Sequence, residues 1–293
     1  MSSIQTMTSL HSRHVSIGSR QVFVSEMGEG YPILMLHGGG PGASGVSNYS
    51  KNIEALALKY RVIVPDMIGY GQSTKGVNRA DPFGDLADAM LDLLDAMGIA
   101  HAHVIGNSLG GACGLRMALE QPHRVSSLIL MGPGGINTTK GLPTKGLNQL
   151  LNYYSGEGAS IDKLRTFIRE YLVFDGSQVP ESVIRERYES SIDPEVVAAP
   201  PLRRPSSLLG AIRMDFTRDS RLKRCQVPTL VLWGASDLVN RPSGAHTLQQ
   251  LMPNCDVYLF GKTGHWVQWE RAAEFNQLSL NFCDRHTPIA ASR

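Results

Sequence analysis

Ser108 sits in Gly106-Asn107-Ser108-Leu109-Gly110, a G-x-S-x-G pentapeptide that makes it a candidate nucleophile. A serine hydroxyl attacks a carbonyl only when an imidazole takes its proton and an acid holds that imidazole in one tautomer. Two later residues are the right types. Asp237 follows the apolar run Thr229-Leu230-Val231-Leu232-Trp233, and His265 lies in Gly261-Lys262-Thr263-Gly264-His265-Trp266. The order serine, acid, histidine is that of a nucleophile carried on a strand-to-helix turn. Asp66 also follows an apolar run but precedes the serine, which is the wrong order, and His37, His103 and His246 read as ordinary histidines. Attack on a carbonyl also calls for two oxyanion donors, each worth about 3 kcal/mol. The Leu109 N–H, at the positive end of the following helix, is one. His37-Gly38-Gly39-Gly40-Pro41-Gly42-Ala43 should supply the other, Gly39 before Gly40, because glycine lets a substrate approach the backbone. The loop is no phosphate cradle, since no G-K-[ST] follows it.

Such a turn needs elements on either side. His101-Ala102-His103-Val104-Ile105 reads as a strand, and the chain from Gly111 to Glu120 reads as a helix that stops before Pro122. So tight a turn demands glycine two residues to each side of the serine and forces the serine into a strained conformation. Strands are expected at 21–26, 33–36, 61–65, 103–105, 127–131, 229–233 and 256–260, and helices at 48–58, 83–97, 110–120, 243–251 and 272–284. This alternation, with the elbow, predicts an α/β-hydrolase fold: a mostly parallel eight-stranded sheet, helices on both faces and an inserted helical cap. The alternation breaks after Met131, where about seventy residues stand in place of the dozen or so a crossover needs. The expected division is a flexible segment over 1–14, a core from 15–135 and 206–286, a cap over 136–205 and a flexible tail over 287–293.

Composition narrows the function classes. With 293 residues, 42% of them hydrophobic, the chain can bury one large core. Its 28 Lys and Arg against 26 Asp and Glu give +2, no footprint for nucleic acid. Residues 136–224 hold 14 Lys and Arg against 11 Asp and Glu, a local +3 that reads as solvated surface and is compatible with an anionic substrate. Cys113, Cys225, Cys255 and Cys283 show no C-x-x-C spacing and read as reduced thiols of a cytoplasmic protein. The polar start of the chain is not a secretory signal, and no run of 18 apolar residues exists to span a membrane. No metal-ligand spacing is present, and no cofactor is expected.

The glycine loop with Ser47-Asn48-Tyr49, the elbow Gly106-Asn107-Ser108-Leu109-Gly110-Gly111-Ala112, Met131-Gly132-Pro133-Gly134-Gly135 and Gly264-His265-Trp266-Val267-Gln268-Trp269-Glu270 together resemble the meta-cleavage product hydrolases. These are carbon–carbon bond hydrolases of bacterial aromatic-ring degradation, acting on the 2-hydroxy-6-oxo-hexa-2,4-dienoates made when a catechol ring is opened. The resemblance implies that Arg187 faces the dienoate, with Arg185 as its rival, and that Asn107 and Trp266 are pocket residues. It places Asn48 near the 2-hydroxy and carboxylate groups and Gly40 at the substrate. His265 would shuttle a proton from the 2-hydroxyl region to C5, and Arg187 would stabilise the dienolate. Ser108 would then attack C6, releasing 2-hydroxypenta-2,4-dienoate and a carboxylic acid; direct attack by water through a gem-diol stays open. Leu109 stands where the family often has methionine, which leaves the backbone donor intact. Leu150, Leu151, Tyr153, Phe167, Leu172 and Phe174 are candidates for either pocket lining or cap packing. The resemblance further implies a homodimer or homotetramer taking a small ring-cleavage product, with no nucleic acid or membrane partner. A carboxylesterase or lactonase with the same triad is the alternative, since fold and triad do not fix a substrate.

Overall fold

A computed structural model describes residues 9–205 and 207–288. Eight strands form one sheet in these residues: β1 His11–Ile17, β2 Arg20–Met27, β3 Pro32–Leu36, β4 Arg61–Pro65, β5 Ala102–Asn107, β6 Val125–Met131, β7 Thr229–Gly234 and β8 Cys255–Phe260. Their order is β1-β2-β4-β3-β5-β6-β7-β8. The β1–β2 and β2–β4 pairs are antiparallel and the others parallel.

Strands buried on both faces must be apolar at every position rather than alternately. β3 shows this: Leu34 and Leu36 join one apolar cluster, while Ile33 and Met35 join the other on the opposite face. The first cluster is covered by the helices Pro82–Ala96 and Leu109–Glu120, the second by Gly45–Tyr49, Ile53–Ala57 and Ala272–His286. Asp81 caps the first of these helices by accepting from the Gly84 N–H, and Pro82 fits its first turn.

Three expectations need adjustment. β1 begins at His11, so 11–14 of the segment expected to be flexible are strand, paired to β2. Residues 1–8 and 289–293 of the two expected flexible ends lie outside the described residues, and helix Ala272–His286 runs up to the expected tail. The single helix expected over 48–58 is two, Gly45–Tyr49 and Ile53–Ala57. The break has a tertiary cause: Asn52 turns its amide nitrogen to Gln268 O and Asn276 Oδ1 rather than to solvent.

Between β6 and β7 the chain runs through helices Lys145–Leu151, Ile161–Thr166, Glu181–Ser191, Pro194–Ala198 and Leu208–Arg213. They pack a third apolar cluster, including Leu164, Ile168 and Ile184, which closes on Val239 and Trp266 of the sheet-bearing part. The expected limit at 205 falls inside this helical run. No helix among the described residues is long and apolar enough to cross a membrane.

Candidate active site

Ser108 ends β5 and opens helix Leu109–Glu120 with φ 53° and ψ −110°, a left-handed conformation that costs a serine energy. Its backbone is clamped: Ser108 N–H donates to Met131 O at 2.8 Å, and its carbonyl accepts from Gly134 N–H at 2.9 Å. The flanking glycines are required by space. A Cβ on Gly106 would stand 2.4 Å from Gly110 O, and one on Gly110 would stand 2.1 Å from Leu36 O.

Asp237 and His265 meet as a pair. His265 Nδ1 donates to Asp237 Oδ2 at 2.7 Å. The carboxylate can only accept there, so Nδ1 carries the proton and Nε2 is left as the acceptor. Nε2 is buried and has no hydrogen-bond partner among the described residues. Asp237 is itself fixed by Trp233 Nε1–H at 2.8 Å on Oδ2 and by the Val239 and Asn240 N–H groups at 2.8 and 2.9 Å on Oδ1. Gly132, at φ 46°, makes room for the pair: a Cβ there would stand 3.0 Å from both Asp237 Oδ2 and His265 Nδ1. Asp66 has a different task, because its oxygens accept from the Gly45 and Gln72 N–H groups and hold two loops.

The glycine loop is anchored by its histidine. His37 Nδ1 donates to Gly38 O at 2.9 Å while Nε2 accepts from Met67 N–H at 2.9 Å. Burial holds this imidazole below its ordinary range, hence neutral. Tyr70 OH donates to Gly39 O. Gly39 and Gly40 face different neighbours. A Cβ on Gly39 would meet the Leu109 side chain at 3.0 Å, whereas one on Gly40 would meet Arg187 Nη2 at 2.5 Å.

Arg187 is 5% exposed, and no carboxylate lies within ion-pair distance among the described residues. Burial pulls its guanidinium down to about 10, so it remains a cation at neutral pH. Nε donates to Pro41 O at 3.2 Å, and the guanidinium lies 5.5 Å from the centre of the Trp266 ring. Arg185 is exposed, on the opposite side of helix Glu181–Ser191. Trp266 Nε1 donates to Asn48 Oδ1 at 3.2 Å, and Asn48 Nδ2 is buried with no partner among the described residues. Asn107 Nδ2 donates to Met131 O and His265 O, tying the elbow to the loop that carries the base.

Ser108 lines two cavities. The smaller holds Asn48, Asn107, Arg187, His265 and Trp266 with the glycine loop, but its free volume is about 20 Å³, room for one water-sized occupant. A larger ligand beside Arg187 therefore requires the cap residues Leu150, Phe167 and Leu172 of its wall to move outward. The second cavity, of about 470 Å³, runs from Ser108 and Leu109 under the cap past Leu150 and Leu151. Tyr153 is buried in the cap cluster instead, bonded to Ser191 Oγ, and Phe174 is 51% exposed.

Several residues that shape this site were not among the expected site residues. Trp233 and Asn240 fix the acid, Tyr70 the glycine loop, and Glu270 accepts from both Gly264 N–H and the cap residue Phe174 N–H. Glu270 sits in a motif already singled out, so its spacing from His265 was the available hint. Among the described residues, no group of three or more His, Cys, Asp or Glu is placed to hold a metal ion.

Known proteins are similar to this chain over most of its length. The alpha/beta hydrolase fold family matches residues 31–272. A 2-hydroxy-6-oxononadienedioate/2-hydroxy-6-oxononatrienedioate hydrolase of Pseudomonas sp is 35% identical over 275 residues, 90% of this chain and 92% of that one. A 2-hydroxy-6-oxo-6-phenylhexa-2,4-dienoate hydrolase of Burkholderia cepacia is 34% identical, over 89% of this chain and 91% of that one. The solved meta-cleavage product hydrolase of Pseudomonas fluorescens superposes with a TM-score of 0.81 at 29% identity, covering 93% of this chain and 97% of that one. An elbow serine, a fixed acid–histidine pair and these relatives lead to one family: the chain belongs to the α/β-hydrolases and, within them, to the meta-cleavage product hydrolases.

Proposed function

We propose that this protein hydrolyses the C5–C6 bond of a 2-hydroxy-6-oxo-hexa-2,4-dienoate, a catechol ring-cleavage product, without a cofactor. The observation that carries the reading is Arg187, a buried cation with no carboxylate partner among the described residues, in one chamber with Ser108 and with His265 Nε2, which likewise has no partner among them. A plain esterase has no use for a desolvated cation there, whereas a dienoate brings a carboxylate and an enolate oxygen to neutralise it.

Carbon is a poor leaving group until its electron pair has somewhere to go. His265 Nε2 takes the 2-hydroxyl proton and delivers it to C5, giving the 2,6-diketone. Ser108 Oγ then bonds C6 as its proton passes to His265, with the oxyanion on the Leu109 and Gly39 N–H groups. The C5–C6 bond breaks, its pair flows to the C2 oxygen beside Arg187, and that oxygen is protonated from His265. Water, deprotonated by His265, then attacks the acyl carbon and returns the hydrogen to Ser108 Oγ. The net change is one water consumed and two acids formed. Asn48 and Trp266 position the dienoate end, Asn107 ties the base loop to the elbow, and Gly40 keeps space for Arg187. The helices between β6 and β7 act as a cap on the sheet-bearing core, in a cytoplasmic homodimer or homotetramer.

Dienolates of this class are yellow, which makes the test optical. Purified protein should bleach at least one of the ring-opened products of catechol, 3-methylcatechol or 2,3-dihydroxybiphenyl with no metal added. Rapid hydrolysis of p-nitrophenyl esters with no bleaching would transfer the site to the carboxylesterases.

A further inference from the structure

Trp266 lies in the chamber, but the residue that sets its ring plane does not. Trp269 stands three residues on, across the one-turn helix Val267–Glu270, a spacing that puts two side chains on one face. The two indoles stack with ring centres 5.3 Å apart and planes 8° from parallel. Trp269 is half-buried and lies outside the residues that line the chamber. The exposed Lys51 brings Nζ to 3.5 Å from the centre of the Trp269 ring and donates to Trp269 O at 3.2 Å. No carboxylate lies within ion-pair distance of Lys51 among the described residues, so none of them competes with the ring for its charge. Asn52 Nδ2 donates to Gln268 O at 3.0 Å, so Asn48, Lys51 and Asn52 all grip the turn that carries both indoles. Contacts therefore run from the surface to the site: Lys51 on Trp269, Trp269 on Trp266, and Trp266 with its ring centre 5.5 Å from the Arg187 guanidinium.

An aromatic face attracts a cation, and a desolvated cation most strongly. Arg187 is buried with no carboxylate to offset its charge among the described residues, so where the Trp266 ring stands bears on where the guanidinium rests. Stacking on a second indole holds that ring plane beyond what apolar contact alone would do. The base is fixed separately: His265 N–H donates to Leu172 O at 2.8 Å, and its Nδ1 donates to Asp237. We propose that Trp269 and Lys51 are positioning residues for ketonisation, acting through Trp266 on Arg187 and Asn48 without touching substrate. This rests on the function proposed above and makes its two halves separable, since proton transfer depends on the stack and attack by Ser108 does not. An aromatic pair shifts an equilibrium by roughly two- to tenfold, and a cation over an exposed ring by roughly two- to fivefold.

The test compares Trp269→Leu, which removes the stack, with Trp269→Phe, which keeps an aromatic face, and Lys51→Met, which removes the charge, with Lys51→Arg, which keeps it. Ketonisation is followed by stopped-flow absorbance of a dienolate. The competence of Ser108 and His265 is read separately, as the rate at which a fluorophosphonate modifies Ser108. Ketonisation should slow by roughly tenfold in Trp269→Leu and roughly threefold in Lys51→Met, with Phe and Arg restoring most of the loss. Phosphonylation should stay within about twofold of wild type throughout, because the base keeps its own anchors. Lys51 is exposed, so its two variants decide the matter if Trp269→Leu does not fold. Equal losses in both rates would mean mere support of the base loop, and unchanged ketonisation in every folded variant would mean a bystander stack. Either result overturns the proposal and leaves the hydrolase reading standing. A wild type that is phosphonylated readily but ketonises no dienolate overturns both.

Discussion

Gly40→Ala separates the proposed proton-transfer chamber from the nucleophile. An added Cβ would stand 2.5 Å from Arg187 Nη2, about 0.9 Å inside the 3.4 Å at which ordinary contact begins. The obstacle is the far end of a flexible side chain, not backbone, so the fold should survive while the guanidinium shifts by close to 1 Å. A misplacement of that size costs on the order of 100-fold in a positioned reaction, about 2.7 kcal/mol of barrier. The three atoms nearest a Gly40 Cβ belong to Arg187 and Phe167, not to Ser108, Asp237 or His265. Stopped-flow absorbance with excess enzyme separates ketonisation from carbon–carbon cleavage. Ketonisation should slow by roughly 100-fold, with the melting temperature within a few degrees of wild type. Unchanged ketonisation in a folded Gly40→Ala protein would refute the role given to Arg187.

Other perturbations probe the remaining joints. Asp237→Asn puts an amide where Trp233, Val239, Asn240 and His265 all donate, so kcat should fall by roughly 10,000-fold, measured as bleaching rate at saturation. Glu270→Gln leaves one acceptor oxygen for the Gly264 and Phe174 N–H groups that link base loop and cap. It should lower kcat more than it changes KM and cost roughly 1–3 kcal/mol in urea unfolding. His103, buried between Ser127 Oγ and Thr287 Oγ1, is lowered by burial from 6.5 to about 4. The unfolded chain therefore binds this proton near pH 6.5 while the folded chain refuses it until about 4, so stability falls as pH drops through that window. Urea midpoints at pH 7.5 and 5 should differ more for wild type than for His103→Asn, and equal differences would contradict the assignment.

Much of this was legible in the chain because the elbow is a local device. Glycines at 106 and 110 answer to contacts that the motif itself creates, and strand and helix flank it in sequence. Arg187 against Arg185 is a question of helix face. Ile184, Arg187 and Ser191 share a buried stripe while Arg185 points outward, a periodicity readable once the helix is assumed. β1 was not legible, because its first four residues are exposed and the strand exists through its pairing with β2. The broken helix near Asn52, the Trp233 bond to Asp237 and the Tyr70 bond to Gly39 depend on which distant segments fold together. The helical wall also continued past 205, since nothing local marks where cap packing ends and the return to β7 begins.

Bleaching alone would follow from ketonisation without cleavage, so the most direct test counts carbons. A dienolate with a known C6 group, turned over to completion by the wild type, should yield 2-hydroxypenta-2,4-dienoate and the C6 carboxylic acid in equal amounts by mass spectrometry. Ser108→Ala should bind the same compound and form neither acid. A bleached product that keeps every carbon of the substrate, or full cleavage by Ser108→Ala, would contradict the account.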